Sequence, residues 1–282
     1  MSVGTTTTFS ELERYGRLYT GGKVAASADG TLLACTCGEE LSLVDIATGK
    51  LLLSISVAGD ELTAFALHPS KPELVTAGRS RLLRHWQYDR EAKTSEQLRS
   101  WKAHKLPVVD LAYDETGTLV ASAGADGAVM VFDVLKGFCT HVFRGHEGVV
   151  LRVLFQPSSL RLASCANDHT VRLWDLTSRE CVHSLDGHVG VARALAFSPD
   201  GHTLFSGGAD QIVNAWDTQT GKLTASLTVL EGVEAIVVDP VLGSGKEKKR
   251  KSAGGEALTF VTAGSKGTLR RWRVRPRTTT ET

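Results

Sequence analysis

Three residue types that together can activate a nucleophile, serine, histidine and aspartate, recur along this chain. In a Ser-His-Asp hydrolase the histidine acts as the base and the aspartate orients it. Here the trio occurs three times, at intervals of 42 residues: His104, Ser122 and Asp126; His146, Ser164 and Asp168; His188, Ser206 and Asp210. An enzyme needs one triad, and no GxSxG motif accompanies any copy. We therefore predict a structural role for the trio and no catalytic residue.

Other patterns that could support chemistry are weak. Metal binding by the same histidines and aspartates is disfavoured by the same repetition, and the five cysteines are scattered without a CxxC pair. The glycines form neither a GxGxxG motif nor a P-loop. We therefore predict no metal, no cofactor and no small-molecule substrate.

Basic residues are concentrated near the C-terminus. From Gly243 onward there are 11 Lys and Arg against three acidic residues, although the whole chain carries only +1. They include the run Lys246, Lys248, Lys249, Arg250 and Lys251, and the arginines Arg270, Arg271 and Arg273. Such groups can contact RNA phosphates or direct nuclear import. The alternatives are a tolerated surface insertion for the run and a strand edge protected by charge for the arginines.

Composition indicates an ordinary folded protein. The 282 residues are 42% apolar and 22% charged, and no apolar run reaches the roughly 18 residues that span a bilayer. The first residues, MSVGTTTTFSELERYG, have neither the basic nor the apolar part of a secretion signal. We therefore expect no membrane contact and a reducing compartment, the cytosol or the nucleus.

The repeat itself indicates which elements position these residues. An aromatic residue ends each strong copy, and weaker copies place Trp86 and Val44 before them and Trp272 after them. Thr76 and Thr262 occupy the serine position in two of these weaker copies. The chain therefore contains six units.

Each unit contains short apolar segments separated by turn residues. In the fourth unit the segments are VVLRVLF, RLASCA, TVRLWDL and CVHSL, which are rich in Val and Leu and lack helical periodicity. Four strands in a period of about 42 residues predict a four-stranded antiparallel blade, and repeated blades predict an all-β propeller. A single blade is stable only when it packs against its neighbours.

A GH pair early in the unit and a WD pair near its end resemble the WD-repeat (WD40) family over about residues 17 to 275. In that family each blade holds a hydrogen-bonded His, Ser, Asp and Trp tetrad, so the resemblance implies that Trp174 and Trp216 complete two tetrads. A Trp N–H only donates, a Ser hydroxyl donates and accepts, and an Asp carboxylate only accepts. Phe132 stands at the tryptophan position of the third unit and cannot donate, so that unit should lack one bond.

The weaker N-terminal units carry a finer resemblance. Segments such as ELTAFALHPSKPELVTAGRSRLLRHW are similar to the N-terminal propeller of the transducin-beta-like WD-repeat subunits of the small-subunit processome. This resemblance implies a non-catalytic scaffold in the nucleolus that serves pre-rRNA processing and small ribosomal subunit biogenesis. Its implied partners are other WD-repeat processome subunits, pre-rRNA and small nucleolar RNA.

A general WD-repeat interaction adaptor, such as a ubiquitin-ligase substrate receptor, is the alternative function. Such receptors often carry a WDxR box. The arginine of that box is missing after both Trp174 and Trp216, which weakens this alternative.

We expect a flexible N-terminus over residues 1–14, a propeller over 15–277 with a basic loop insertion at 243–256, and a flexible tail over 278–282. Two architectures stay open. Either Arg17 to Tyr19 supply the outermost strand of the last blade and close a six-bladed ring, or the chain is a seven-bladed propeller that lacks a blade. Because the resembled proteins carry two tandem propellers, we expect a fragment or a divergent short form.

Overall fold

A computed structural model of the chain describes residues 23–37, 39–57, 59–238 and 258–274. The described strands form six separate antiparallel sheets, which confirms the all-β prediction. Several predictions lie outside the described residues: the flexible ends 1–14 and 278–282, the closing strand at Arg17 to Tyr19, the insertion 243–256, and its basic residues Lys246, Lys248, Lys249, Arg250 and Lys251. The closure of the ring therefore stays a prediction.

The first three sheets follow the order of the chain, with consecutive strands side by side. The first sheet comprises β1 (Val24–Ala26), β2 (Leu32–Cys37), β3 (Glu40–Asp45) and β4 (Leu51–Ser56). The second comprises β5 (Leu62–Leu67), β6 (Glu73–Gly78), β7 (Leu82–Asp89) and β8 (Thr94–Lys102). The third comprises β9 (Val108–Tyr113), β10 (Leu119–Gly124), β11 (Ala128–Asp133) and β12 (Phe138–Arg144).

The last three sheets repeat this order. The fourth comprises β13 (Val150–Phe155), β14 (Arg161–Ala166), β15 (Thr170–Asp175) and β16 (Glu180–Asp186). The fifth comprises β17 (Ala192–Phe197), β18 (Thr203–Gly208), β19 (Ile212–Asp217) and β20 (Leu223–Thr228). The sixth comprises β21 (Val233–Val238), β22 (Leu258–Gly264) and β23 (Leu269–Val274). Its described part therefore has three strands, where the repeat predicts four.

The first strand of each sheet lies nearest the centre of the molecule. Strand β5 packs beside β9, β9 beside β13, β13 beside β17 and β17 beside β21, whereas the fourth strands β4 and β8 barely touch. Lys23, just before β1, reaches into this centre, where its Nζ lies 2.5 Å from Oδ1 of Asp110 in β9. The sheets therefore radiate as the blades of a β-propeller.

The hydrophobic core consists of five clusters, one in each gap between successive sheets. Because an interior sheet is covered on both faces, its middle strands are buried along almost their whole length, as in β14 and β18. The outer strands alternate between exposed and half-buried residues, as β16 does. Sheet-on-sheet packing therefore supplies the core of the fold.

One aromatic residue on the third strand of each later sheet fills the gap to the sheet before it. These residues are Trp86, Phe132, Trp174, Trp216 and Trp272. In the first sheet the same position holds Val44. The described part of the chain contains no helix with the length and apolar character needed to cross a membrane.

Candidate functional site

The predicted tetrad residues of the fourth and fifth sheets lie in continuous hydrogen-bonded chains. In the fourth sheet Trp174 Nε1 donates to Ser164 Oγ over 2.8 Å, and Ser164 Oγ lies 2.8 Å from His146 Nε2. His146 Nδ1 lies 2.8 Å from Oδ2 of Asp168. The fifth sheet repeats the three distances at 2.8, 2.7 and 2.9 Å, with the residues Trp216, Ser206, His188 and Asp210.

The third sheet has the same chain without the tryptophan link. His104 lies 2.8 Å from both Ser122 Oγ and Oδ1 of Asp126. Phe132 has no N–H to offer, and the Ser122 hydroxyl lies 3.3 Å from the carbonyl oxygen of Met130. The hydroxyl of Ser122 therefore has a backbone acceptor within reach where its counterparts accept from tryptophan.

These Ser-His-Asp chains have the connectivity of a catalytic triad but not its accessibility. In both cases the histidine joins the serine to the aspartate. Ser122, Ser164 and Ser206 are all fully buried, and in two of the sheets the hydroxyl also accepts the tryptophan N–H. A substrate carbonyl cannot approach such an oxygen, so the geometry supports the predicted structural role.

Each aspartate of these chains also ties the turn between the second and third strands to the loop that enters the sheet. The backbone N–H of Glu147, next to His146, donates to Asp168 Oδ2 over 3.0 Å. Burial by itself would raise the pKa of Asp168, but hydrogen bonds from His146 and backbone N–H groups outweigh it and lower that pKa to about 2. Burial lowers the pKa of His146, so the pair consists of a carboxylate and a neutral imidazole that donates to it.

The second sheet replaces the histidine by an acid, which the sequence analysis missed. Asp60 stands at the histidine position and accepts a bond from the backbone N–H of Ser80 over 2.8 Å. Arg84 NH1 lies 2.5 Å from Asp60 Oδ2, and both side chains are almost fully buried. Trp86 still donates to a hydroxyl, that of Thr76, over 2.9 Å.

The sixth sheet makes the same exchange. Glu231 accepts bonds from the Thr268 hydroxyl and the Lys266 backbone, and Arg270 NH2 lies 3.5 Å from its Oε1. Trp272 donates to Thr262 over 2.9 Å. Two changes in the sequence accompany this exchange. An acid replaces the histidine, and Ser80 or Lys266 replaces the aspartate and is followed four residues later by an arginine.

Glycines at the end of the second strand confirm that these acids occupy the histidine position. A side chain added at Gly124 would collide with His104, one at Gly78 with the Asp60 carboxylate, and one at Gly264 with the Glu231 carboxylate. In these three sheets a polar side chain therefore lies so close to the strand end that a Cβ there would collide with it, whereas the fourth sheet has Ala166 at the end of the same strand.

A further buried acid, Asp110, was also missed by the sequence analysis. Besides Lys23, it accepts the backbone N–H of Val153 over 3.1 Å, and Arg152 NH1 lies 3.8 Å from its Oδ1. Its side chain is 4% exposed. Because a buried carboxylate is costly unless paired, this residue ties the inner ends of three sheets together.

The structure places the arginines of the last strand on two different faces. Arg270 turns toward the fifth sheet, where it donates to the carbonyl oxygen of Val229 and pairs with Glu231. Arg271 and Arg273 are exposed on the opposite face. These three residues therefore do not form one patch.

Within the described ranges, no group of three His, Cys, Asp or Glu side chains could hold a metal ion. A surface cleft of about 800 Å³ lies between turns of the first and second sheets. It is lined mainly by polar and charged residues, including Asp29, His68, Lys71, Arg90 and Glu91.

Comparison with known families identifies three repeats in the middle of the chain. The model described as "WD domain, G-beta repeat" matches residues 95–133, 137–175 and 179–217. Each match begins within one residue of the start of the outermost strand of one sheet and ends on the third strand of the next. The repeat in the sequence therefore straddles two blades, which ties neighbouring sheets together covalently.

Curated relatives match about half of the chain. Transducin beta-like protein 3 of Bos taurus is 44% identical over 139 residues, which is 49% of this chain and 17% of that protein. U3 small nucleolar RNA-associated protein 13 of Saccharomyces cerevisiae is 33% identical over 143 residues, with the same coverage. WD repeat-containing protein 90 of Xenopus tropicalis is 25% identical over 133 residues. The matched region is thus a small part of each relative.

The presence or absence of tryptophan allows a matched test of the tetrads. Ser164→Ala should strand the N–H of Trp174 and the Nε2 of His146, so we expect it to lower the free energy of unfolding by about 2–4 kcal/mol. Ser122→Ala strands only His104 and should cost about 1–2 kcal/mol. Urea unfolding monitored by circular dichroism measures both. Equal losses would contradict the role assigned to the Trp–Ser bond.

The buried pair in the second sheet calls for a double-mutant cycle. Arg84→Met leaves the Asp60 carboxylate buried without its cation and should cost about 3–5 kcal/mol. Adding Asp60→Leu should recover part of that loss, because Ser80 is exposed and can bind water instead. As a control, Arg79→Met removes an exposed pair with Glu61 and should cost under about 1 kcal/mol. A double variant less stable than Arg84→Met would contradict this account.

Proposed function

We propose that this chain, a WD-repeat protein, is a non-catalytic scaffold subunit of a nucleolar ribonucleoprotein assembly, the small-subunit processome. In that role it acts in pre-rRNA processing and small ribosomal subunit biogenesis. Its partners are other WD-repeat subunits of the assembly, with pre-rRNA and small nucleolar RNA as further contacts. This proposal is carried by the similarity of half the chain to a protein named for its association with U3 small nucleolar RNA.

The use of the polar side chains supports a scaffold. The serines, histidines and aspartates that could perform chemistry are committed to bonds that hold turns and strands within each sheet. What the molecule offers to solvent is a set of turns at both ends of the sheets and a rim of outer strands. Such a surface binds by shape and charge, and it has no activated nucleophile among its described residues.

The relatives support the cellular setting. The yeast relative carries U3 small nucleolar RNA in its name, and Transducin beta-like protein 3 from four mammals matches at 42–44% identity. The chain spans less than two thirds of each of these proteins. The same relatives and the basic run at Lys246 to Lys251 support the nuclear and nucleolar localisation that we propose for this chain.

Affinity purification tests the proposal. The full chain, tagged and expressed in its own organism, is isolated from nuclear extract, and bound proteins and RNA are identified by mass spectrometry and RNA sequencing. We expect processome WD-repeat subunits and U3 small nucleolar RNA to be enriched. Recovery of ubiquitin-ligase components in their place would contradict the proposal and favour the adaptor alternative.

Two sets of variants separate the parts of the proposal. Ser122→Ala, Ser164→Ala and Ser206→Ala, introduced singly, should each still support pre-rRNA processing at a temperature where the protein is folded, because the hydroxyls are structural. Loss of processing by one folded variant alone would indicate catalysis.

Replacement of Lys248, Lys249, Arg250 and Lys251 by alanine should leave folding intact and reduce nucleolar accumulation or RNA recovery.

A further inference from the structure

Three cavities adjoin at the end of the sheets where the first strand turns into the second. One is the cleft of about 800 Å³ between the first and second sheets. A central cavity of about 550 Å³ lies where β1, β5, β9 and β13 end, and Pro69 lines both it and the cleft. A side cavity of about 280 Å³ shares Phe155 and Gln156 with the central cavity. We call the three together the turn-face groove.

The walls of the turn-face groove come from the first five sheets. All the described residues that line it fall within residues 23–199, and the fifth sheet contributes Pro199 at its first turn. These five sheets pack against one another in chain order. The shape of the groove is therefore set by sheets whose neighbours are described.

The central cavity is lined mainly by apolar residues. The buried rings of Phe65 and Phe155 form part of its wall. Three prolines also line it, Pro69, Pro157 and Pro199, and each stands two residues after the end of a first strand. Because proline has no backbone N–H, these positions cannot donate a hydrogen bond to an anion. The cavity therefore suits an apolar side chain.

The charges along the rest of the groove are mainly negative. In the cleft Arg90 offsets Asp29, with NH1 3.4 Å from its Oδ2. The other charged residues of the cleft are all exposed: the acids Asp89, Glu91 and Glu96, and one base, Lys71. The charged residues of the side cavity are both acids, Asp114 and Glu115. An occupant of the groove therefore needs cations on either side of its apolar part.

We propose that the turn-face groove docks a segment of another protein that places an apolar side chain in the central cavity and lysine or arginine side chains in the cleft and the side cavity. RNA is disfavoured as the occupant because its phosphates would lie against the carboxylates of the groove. The proposal rests on the scaffold role and names a surface that performs it.

Site-specific photo-crosslinking in the full chain tests this docking site. p-Benzoylphenylalanine replaces Ser70, an exposed residue of the cleft, in one variant. In a matched control it replaces Ser178, which is exposed on a turn of the fourth sheet and lines none of the three cavities. Cells of the source organism are irradiated, and crosslinked peptides are mapped by mass spectrometry. We expect an adduct at position 70 whose partner peptide combines an apolar residue with Lys or Arg, and no such adduct at position 178.

Variants of the groove decide whether the adduct reports the proposed site. Glu91→Lys with Glu96→Lys should lower the adduct yield at position 70 at least about tenfold, whereas the two aspartate replacements should retain most of it. Ala26 is exposed and lines the central cavity. Ala26→Arg should therefore also lower the yield at least about tenfold, and Ala26→Ser should retain it. Thermal unfolding confirms that each variant is folded.

Several results would overturn the proposal. They are an adduct at position 70 to RNA, to a second copy or to residues of this same chain, a protein adduct insensitive to the lysine or Ala26→Arg variants, the same adduct at position 178, or no adduct. A partner from the processome and a partner from any other assembly support the docking site equally. Failure of the docking site is therefore distinguishable from failure of the proposed function.

Discussion

The structure depends on one constraint: the second to fifth sheets are apolar on both faces and are covered on both by their neighbours. The middle strands β14 and β18 are buried along almost their whole length because another sheet lies on either side. An aromatic residue from each following sheet fills the gap, for example Trp174 against Phe143 of the third sheet, with ring centroids 5.1 Å apart. Each sheet therefore depends for its stability on the presence of its neighbours.

Polar networks fix the turns at one end of the sheets. They also pair polar groups that would otherwise be buried without a hydrogen bond. A histidine between serine and aspartate does this in three sheets. The second and sixth sheets use an acid and an arginine instead. In both arrangements the polar side chains form hydrogen bonds or ion pairs inside the blades. The serine, histidine and aspartate side chains of these networks are therefore occupied by structural hydrogen bonds.

The strand pattern and the three networks that contain histidine could be predicted from the sequence, because a period of 42 residues places the same residue types at the same positions. The exchange of histidine for Asp60 or Glu231 was not predicted, since the compensating arginine lies on a different strand and the pairing is visible only in three dimensions. Asp110 was missed for the same reason, because its partners Lys23 and Arg152 come from two other sheets. The turn-face groove could not be inferred either, since residues of five different sheets line it.

Native-state hydrogen exchange measures most directly whether coverage on both faces controls stability. If it does, the slowest amides of β14 and β18 exchange only through global unfolding, and those of β22 exchange through local opening at a free energy lower by at least about 2 kcal/mol. Protection of β22 equal to that of β14 and β18 would contradict the account, because a sheet with one open face would then be as stable as one packed between two others.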